Sequence, residues 1–210
     1  AGEVVAVGHG VEHLAVGDRV TSLAVPAACG RCDNCSAGLQ QWCTGDDKVR
    51  VIPAGYAEYM IQGEPQAVRV PDDLSLADAA LVEPLAVGLH GVTLSGMRNG
   101  DDVVVIGAGP IGLAAAYWAR RHGAGRVVVV ASSRRRESYA FSLGASSFLV
   151  AGPDLASQVA DEIGGPPGIV FEAAGAPGSI AQAVALVGPR GTVIGLGCCS
   201  HEDTWLPMRA

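Results

Sequence analysis

Basic tracts are scarce in this chain. None is longer than Arg134-Arg135-Arg136, and 14 lysines and arginines against 21 acids leave a net charge of −7. A nucleic-acid binder normally shows a basic face, so this balance speaks against that class of partner. The apolar stretches that could be misread as membrane-spanning are interrupted. The longest, Val103 to Ala119, carries Gly107, Gly109, Pro110 and Gly112 and falls short of the ~20 residues a spanning helix needs. A soluble protein with no membrane partner is the expectation. No basic segment followed by an apolar one opens the chain, so nothing suggests export and a cytoplasmic location is expected. Charged residues are few, at 17% against 49% hydrophobic, which argues for a folded core and against disorder. An initiator Met is missing, and the chain starts at Ala1 inside what reads as a strand and stops at Ala210 without a closing element. The expectation is a fragment, or a protein shortened at both ends.

What is plentiful is backbone punctuation. The 29 glycines and 12 prolines make up nearly a fifth of 210 residues, against roughly 12% in average usage. Glu3 to Val7 and Asp18 to Leu23 read as short strands, with turns at Gly8-His9-Gly10 and Gly17. Pro26 to Asp47 is rich in Cys, Gly and polar residues and has no helix or strand period. Strand character returns at Tyr56 to Gln62 and Ala67 to Val70. After Pro71-Asp72-Asp73, Ser75 to Val92 predicts helices with Ser75 as N-cap. From Asp102 the pattern changes. Val103-Val104-Val105-Ile106 is a continuous apolar run, as in a strand buried on both faces. Helix-like Ile111 to His122 follows, then Val127 to Val130, a helix around Glu137 to Leu143, a strand at Ser147 to Val150 and a helix at Leu155 to Ile163. Strands at Gly168 to Phe171 and Gly191 to Ile194 flank a helix at Ser179 to Val187. This alternation predicts βαβ units and a parallel sheet.

Two motifs carry chemistry. In CGRCDNCSAGLQQWC, Cys29, Cys32, Cys35 and Cys43 have the spacing C-x2-C-x2-C-x7-C. Pairs of intervening residues let successive thiolates face one point, and four at ~2.3 Å make a closed structural zinc site. Disulfides suit a cytosolic acidic protein poorly, and cysteines three apart pair awkwardly. An iron–sulfur cluster also takes four cysteines but usually brings its own compact fold. Zinc is the favoured reading, and it would add on the order of 10 kcal/mol toward folding the lobe. Cys198 and Cys199 read as packing residues.

Gly107-Ala108-Gly109-Pro110-Ile111-Gly112 lies directly between the buried strand and the next helix. Gly107 permits a tight turn, Gly109 lets backbone approach a pyrophosphate, and Gly112 lets helix and strand pack closely. The helix N-terminus then presents N–H groups and partial positive charge to phosphates. An NAD site normally has an acid at the end of the second strand. Here Ala131-Ser132-Ser133-Arg134-Arg135-Arg136 stands there. Ser132 and Ser133 with one or two arginines, Arg134 and Arg136 among them, suit a 2′-phosphate, which favours NADP over NAD. The competing reading makes the arginines a solvated helix start.

Together these motifs resemble the zinc-dependent medium-chain dehydrogenase/reductase family of alcohol and polyol dehydrogenases. The resemblance covers nearly the whole chain, through AGEVVAVG with GDRV, the cysteine lobe, GYAEYM, LVEPLAVGLHGV, VVVIGAGPIGL and RGTVIGLG. It implies an α/β protein. A partial GroES-like β-barrel with a zinc lobe (residues 1–74, lobe 26–47) would join connecting helices and a doubly wound Rossmann sheet (75–210), with the active cleft between them. It also implies a small alcohol or carbonyl substrate, hydride transfer to NAD(P) and a homo-oligomer when complete. A second, catalytic zinc would be held by an upstream Cys and by the His of a G-H-E-x-x-G motif, whose last glycine Gly2 resembles. Glu83 matches the family's third acidic ligand, whereas a plain reading makes it a helix carboxylate paired with a cation. His90 reads as a packing residue. With one carboxylate for the catalytic metal, the chain alone is expected to lack alcohol dehydrogenase activity. Rival readings are a zinc-free quinone or enoyl reductase and a non-catalytic zinc-bearing nucleotide sensor.

Overall fold

The computed structural model describes residues 1–22, 28–45, 55, 57–198 and 202. The chain divides into two compact units, Ala1–Glu83 and Pro84–Ala210. In the first, β1 (Gly2–Glu3), β2 (Arg19–Ser22) and β3 (Ala67–Arg69) form an antiparallel sheet in that order. It is the part of the expected barrel seen among the described residues. Arg69 on β3 reaches Asp18 at 2.8 Å and the carbonyl of His13 at 2.7 Å, pinning the loop before β2. The strand expected from Glu3 to Val7 stops at Glu3. Two further bonds, Val4 N–H to the Asp18 carbonyl and Gly17 N–H to the Val4 carbonyl, end the pairing, and Val5 and Val7 are exposed. Residues 57–62 are not a strand either. Tyr59, Met60 and Ile61 are exposed and no neighbouring strand takes up their backbone groups among the described residues. Leu23 and Tyr56 lie outside the described residues, as do Pro26, Asp47 and Cys199. A four-residue helix, α1 (Asp33–Ser36), and a 3-10 turn at Gln40–Trp42 interrupt the cysteine-rich stretch, where no period was expected.

Ser75 caps α2 (Leu76–Ala79) as expected, its hydroxyl accepting the Asp78 N–H at 3.0 Å. Helix α3 (Val82–Leu94) follows and runs into the second unit. Its small residues allow close packing there: a Cβ on Gly88 would sit 2.7 Å from the Ala114 backbone. His90 is exposed, not packed. Its position on α3 faces away from the buried Gly88, Gly91 and Val92.

The second unit is built on β4 (Val103–Ile106), β5 (Val127–Ala131), β6 (Ser147–Val150), β7 (Ile169–Glu172) and β8 (Thr192–Gly195). All pair in parallel, in the order β6-β5-β4-β7-β8. Helices α4 (Pro110–Arg121), α5 (Glu137–Ser142), α6 (Leu155–Ile163) and α7 (Ser179–Leu186) connect them. Val103, Val105, Val127 and Val129 point into a core shared with Ala115 and Ala119 of α4. Val104, Val128 and Val130 point the other way, against Leu155, Val159, Ala183 and Leu186 of α6 and α7. Both sheet faces are therefore covered, which explains why these strands read as unbroken apolar runs. The chain reverses direction of winding between β4 and β7, and ligands bind sheets of this kind at the carboxyl ends beside such a switch.

Candidate metal centre and nucleotide cleft

The four sulfurs are assembled by short-range geometry. Gly30 (φ 73°) turns the chain after Cys29, Cys32 is the N-cap of α1, and Cys35 sits buried within it. Gly38 (φ 77°) reverses direction so that Cys43 arrives at the end of the 3-10 turn. All four Sγ atoms lie within 4.8 Å of one another, the one such group of metal-capable side chains among the described residues. Cys29 and Cys35 are 4.0 Å apart and Cys32 and Cys35 3.4 Å, against an edge of about 3.8 Å for a tetrahedron with ~2.3 Å zinc–sulfur bonds. All four cysteines are free.

Backbone N–H groups are aimed at the sulfurs. Cys29 N–H donates to Cys43 Sγ at 3.3 Å, Gly45 N–H to the same atom at 3.4 Å, and Cys32 N–H to Cys29 Sγ at 3.4 Å. Such donors stabilise thiolate over thiol. The N–H groups of Thr44 and Cys35 bring Cys32 down to about 5. Those of Cys29 and Gly45 lower Cys43. Burial, aided by the Cys32 side chain, pushes Cys35 up to about 12. The set thus holds charge for a cation that deprotonates every ligand. Zinc fits it. Gly45 is a member of the site that the spacing of the cysteines does not reveal. A Cβ there would lie 2.5 Å from Cys29 Sγ, so any larger residue would displace the Cys29 side chain.

The glycine motif adopts the turn its spacing predicts. Gly107 has φ 106°, and a Cβ on it would meet the Ala173–Ala174 peptide at 2.8 Å. A Cβ on Gly112 would collide with the Gly107 carbonyl at 1.8 Å. Gly109 caps α4 with extended backbone, Pro110 takes the first helical position and Ile111 the second. A Cβ on Gly109 would meet nothing nearer than Arg136, at 3.9 Å, so this side of the turn stays open to a ligand.

Beside the turn opens a cleft of about 570 Å³. Gly107 to Gly109 form one wall, Val130 to Ser133 a second, and Ala173, Ala174, Ala176 and Pro177 a third. The arginines part company here. Arg134 turns to Glu137 on α5 and is absent from the lining. Arg136 lies over the glycine turn, donating to the Ala108 carbonyl at 3.2 Å. Arg135, which sequence reasoning did not single out, lines the cleft with Ser132 and Ser133. The alternation of side chains on the 3-10 turn at Arg134–Arg136 decides this, and the composition of an Arg triplet carries no signal of it. The third wall was also missed; its trace is the acid in Phe171-Glu172-Ala173-Ala174-Gly175, ending an apolar strand before a run of small residues. Glu83 is exposed in the first turn of α3, a favoured place for a carboxylate. No ion pair holds it among the described residues.

Comparison with known proteins places these features together elsewhere. Residues 1–72 match the model of the alcohol dehydrogenase GroES-like domain, and residues 110–210 that of the zinc-binding dehydrogenase. Sorbitol dehydrogenase of Bacillus subtilis (strain 168) is 31% identical over 207 residues, covering 97% of this chain and 58% of that protein. A protein of Sinorhizobium meliloti 1021 described as a zinc-binding dehydrogenase, solved bound to NADP, superposes with a TM-score of 0.81 at 30% identity, over 99% of this chain and 63% of its own. Zinc dependent alcohol dehydrogenase 2 from Streptococcus pneumonia, in its apo form, gives 0.85 at 28% identity, over 97% and 60%. The chain thus spans about three fifths of the length of the proteins it matches.

Proposed function

The chain belongs to the zinc-dependent medium-chain alcohol and polyol dehydrogenases, and we propose that it supplies the structural-zinc lobe and the dinucleotide-binding part of such an enzyme. The reaction is hydride transfer between an alcohol or polyol and a nicotinamide dinucleotide. The observation that carries this reading is the cleft beside Gly107–Gly112, with its open glycine wall and its serines and arginines. Pyrophosphate lies at the N-terminus of α4, where first-turn N–H groups have no partner within the helix.

NADP is the cofactor this cleft suits, with NAD the lesser alternative. Ser132, Ser133 and Arg135 receive the 2′-phosphate, while Arg136, anchored on the Ala108 carbonyl, serves the diphosphate shared by both nucleotides. Cys29, Cys32, Cys35 and Cys43 hold the structural zinc. Glu83 is the residue of this chain assigned to a catalytic zinc, which when bound polarises the substrate oxygen and lowers the pKa of its hydroxyl. The dinucleotide-binding and connecting segment begins near residue 75 and the barrel portion precedes it. The intact protein is a soluble, cytoplasmic homo-oligomer acting on a small molecule, with no nucleic-acid or membrane partner.

Fluorescence titration of the purified chain with NADPH and NADH tests the cofactor assignment. Wild type binds NADPH more tightly. R135A loses about 1.5–3 kcal/mol for NADPH, the worth of a charge-assisted contact, and little for NADH. R136A weakens both alike. Equal losses for the two nucleotides in R135A would remove Arg135 from the 2′-phosphate.

A further inference from the structure

Glu172 ends β7 with a carboxylate that is 1% exposed. Burying an acid is costly unless its oxygens are used. Oε1 accepts the backbone N–H groups of Ala174 at 2.8 Å and Gly175 at 2.9 Å. These bonds lie outside the sheet ladder, which continues through backbone groups alone. The Glu172 carbonyl meanwhile takes the N–H groups of Leu196 and Gly197, at 2.6 and 2.9 Å. One residue therefore ties the ends of β7 and β8 to the loop that follows β7.

That loop is the third wall of the cleft, through Ala173, Ala174, Ala176 and Pro177. It also presses on the glycine turn. Ala173 N–H donates to the Ile106 carbonyl at 2.8 Å, and the Ala173–Ala174 peptide stands where a Cβ on Gly107 would be. Gly175 (φ 58°) has Cys198 backbone at 3.0 Å from its own Cβ position, so the loop is confined on that side too. Glu172 Oε2 has no hydrogen-bond partner among the described residues. The carboxylate thus acts through Oε1.

We propose that Glu172 is a positioning residue for the dinucleotide: its carboxylate holds the 173–178 loop at the spacing from the Gly107–Gly112 turn that the ligand requires. This rests on the reading of the cleft as a nucleotide site. Glu172 does not line the cleft and acts only through the loop.

NADPH and NADH titrations of the 210-residue chain, with E172A, E172D and E172Q, test it. E172Q keeps a carbonyl oxygen in place of Oε1 and binds within about threefold of wild type. E172D falls one methylene short of both N–H groups. It and E172A bind about tenfold or more weakly, the loss expected of hydrogen bonds to a charged group. Zinc content and far-UV circular dichroism stay unchanged in all three. Wild-type affinity in E172A and E172D, or an E172Q as weak as E172A, overturns the proposal. Should E172A fail to fold, the E172D and E172Q pair decides alone. A wild-type chain that binds neither nucleotide refutes the cleft assignment instead.

Discussion

Glu64 takes the backbone N–H of His13 at 2.5 Å and that of Glu12 at 3.2 Å, closing the loop ahead of β2. The His13 N–H, reinforced by that of Glu12 and by the charge of the His13 ring, holds this carboxyl below its ordinary 4.5 despite the opposing effect of desolvation. A carboxyl lowered on folding stabilises the folded state above its unfolded pKa, and that stability fades as pH falls through the folded value. E64Q should therefore be less stable than wild type at neutral pH, and the gap should narrow once pH falls below the ordinary glutamate range and through the folded value. Urea midpoints at neutral and acid pH would show it. A gap that persists in acid would mean Glu64 acts by packing alone. The loss should be modest, because the carboxylate is solvent-screened.

At the scale of elements, the crossing of β4 and α4 is set by the absence of a side chain at Gly112. G112A forces a methyl onto the Gly107 carbonyl, 1.8 Å away. Overpacking in a dense core costs about 1–3 kcal/mol, and the displaced α4 N-terminus should take nucleotide binding with it. Thermal denaturation and an NADPH titration measure the two effects. An NADPH affinity unchanged in G112A would separate the turn from the site. This turn was legible in the sequence because strand, glycines and helix are consecutive, and so was the cysteine lobe, whose four clustered cysteines span fifteen residues. Ser75 and each strand of the parallel sheet were legible for the same local reason. What escaped reading depends on direction and on distant neighbours. Nothing in three adjacent arginines says that Arg134 turns to Glu137 and Arg135 to the cleft. Glu172 finds its partners two and three residues ahead, but its burial depends on β4 and β8. Glu3 to Val7 is valine-rich like a strand, yet its pairing ends at Val4 because extended residues need a neighbour's backbone as well as a suitable composition.

At the scale of the whole molecule, the two units are unequally supported. Among the described residues of 1–83 only Thr21, Cys35, Gln66, Val70 and Ala79 are buried, whereas the valines of β4 and β5 are wholly enclosed. Few buried side chains hold the cysteine lobe, so the proposed zinc would supply much of its order. Every described wall of the nucleotide cleft comes from residues after 84. Stripping zinc from the chain with a chelator should expose the lobe to proteolysis while NADPH affinity stays within about threefold. Limited proteolysis followed by mass spectrometry, run beside the titration, reads both. Affinity falling in step with zinc content would show that the metal serves the cleft as well.

The two-faced burial of β4 also bears on how the chain finds its alignment. Sliding that strand by one position exchanges valine for valine on either side, so greasiness cannot tell the right alignment from the wrong one. The information must reside at its ends. Below, Asp102 clasps the Arg126 N–H at 2.7 Å; above, Gly107 has room for nothing but hydrogen against the Ala173–Ala174 peptide. The glycine turn that shapes the proposed ligand's seat is thus also one of the two stops that keep the central strand from slipping.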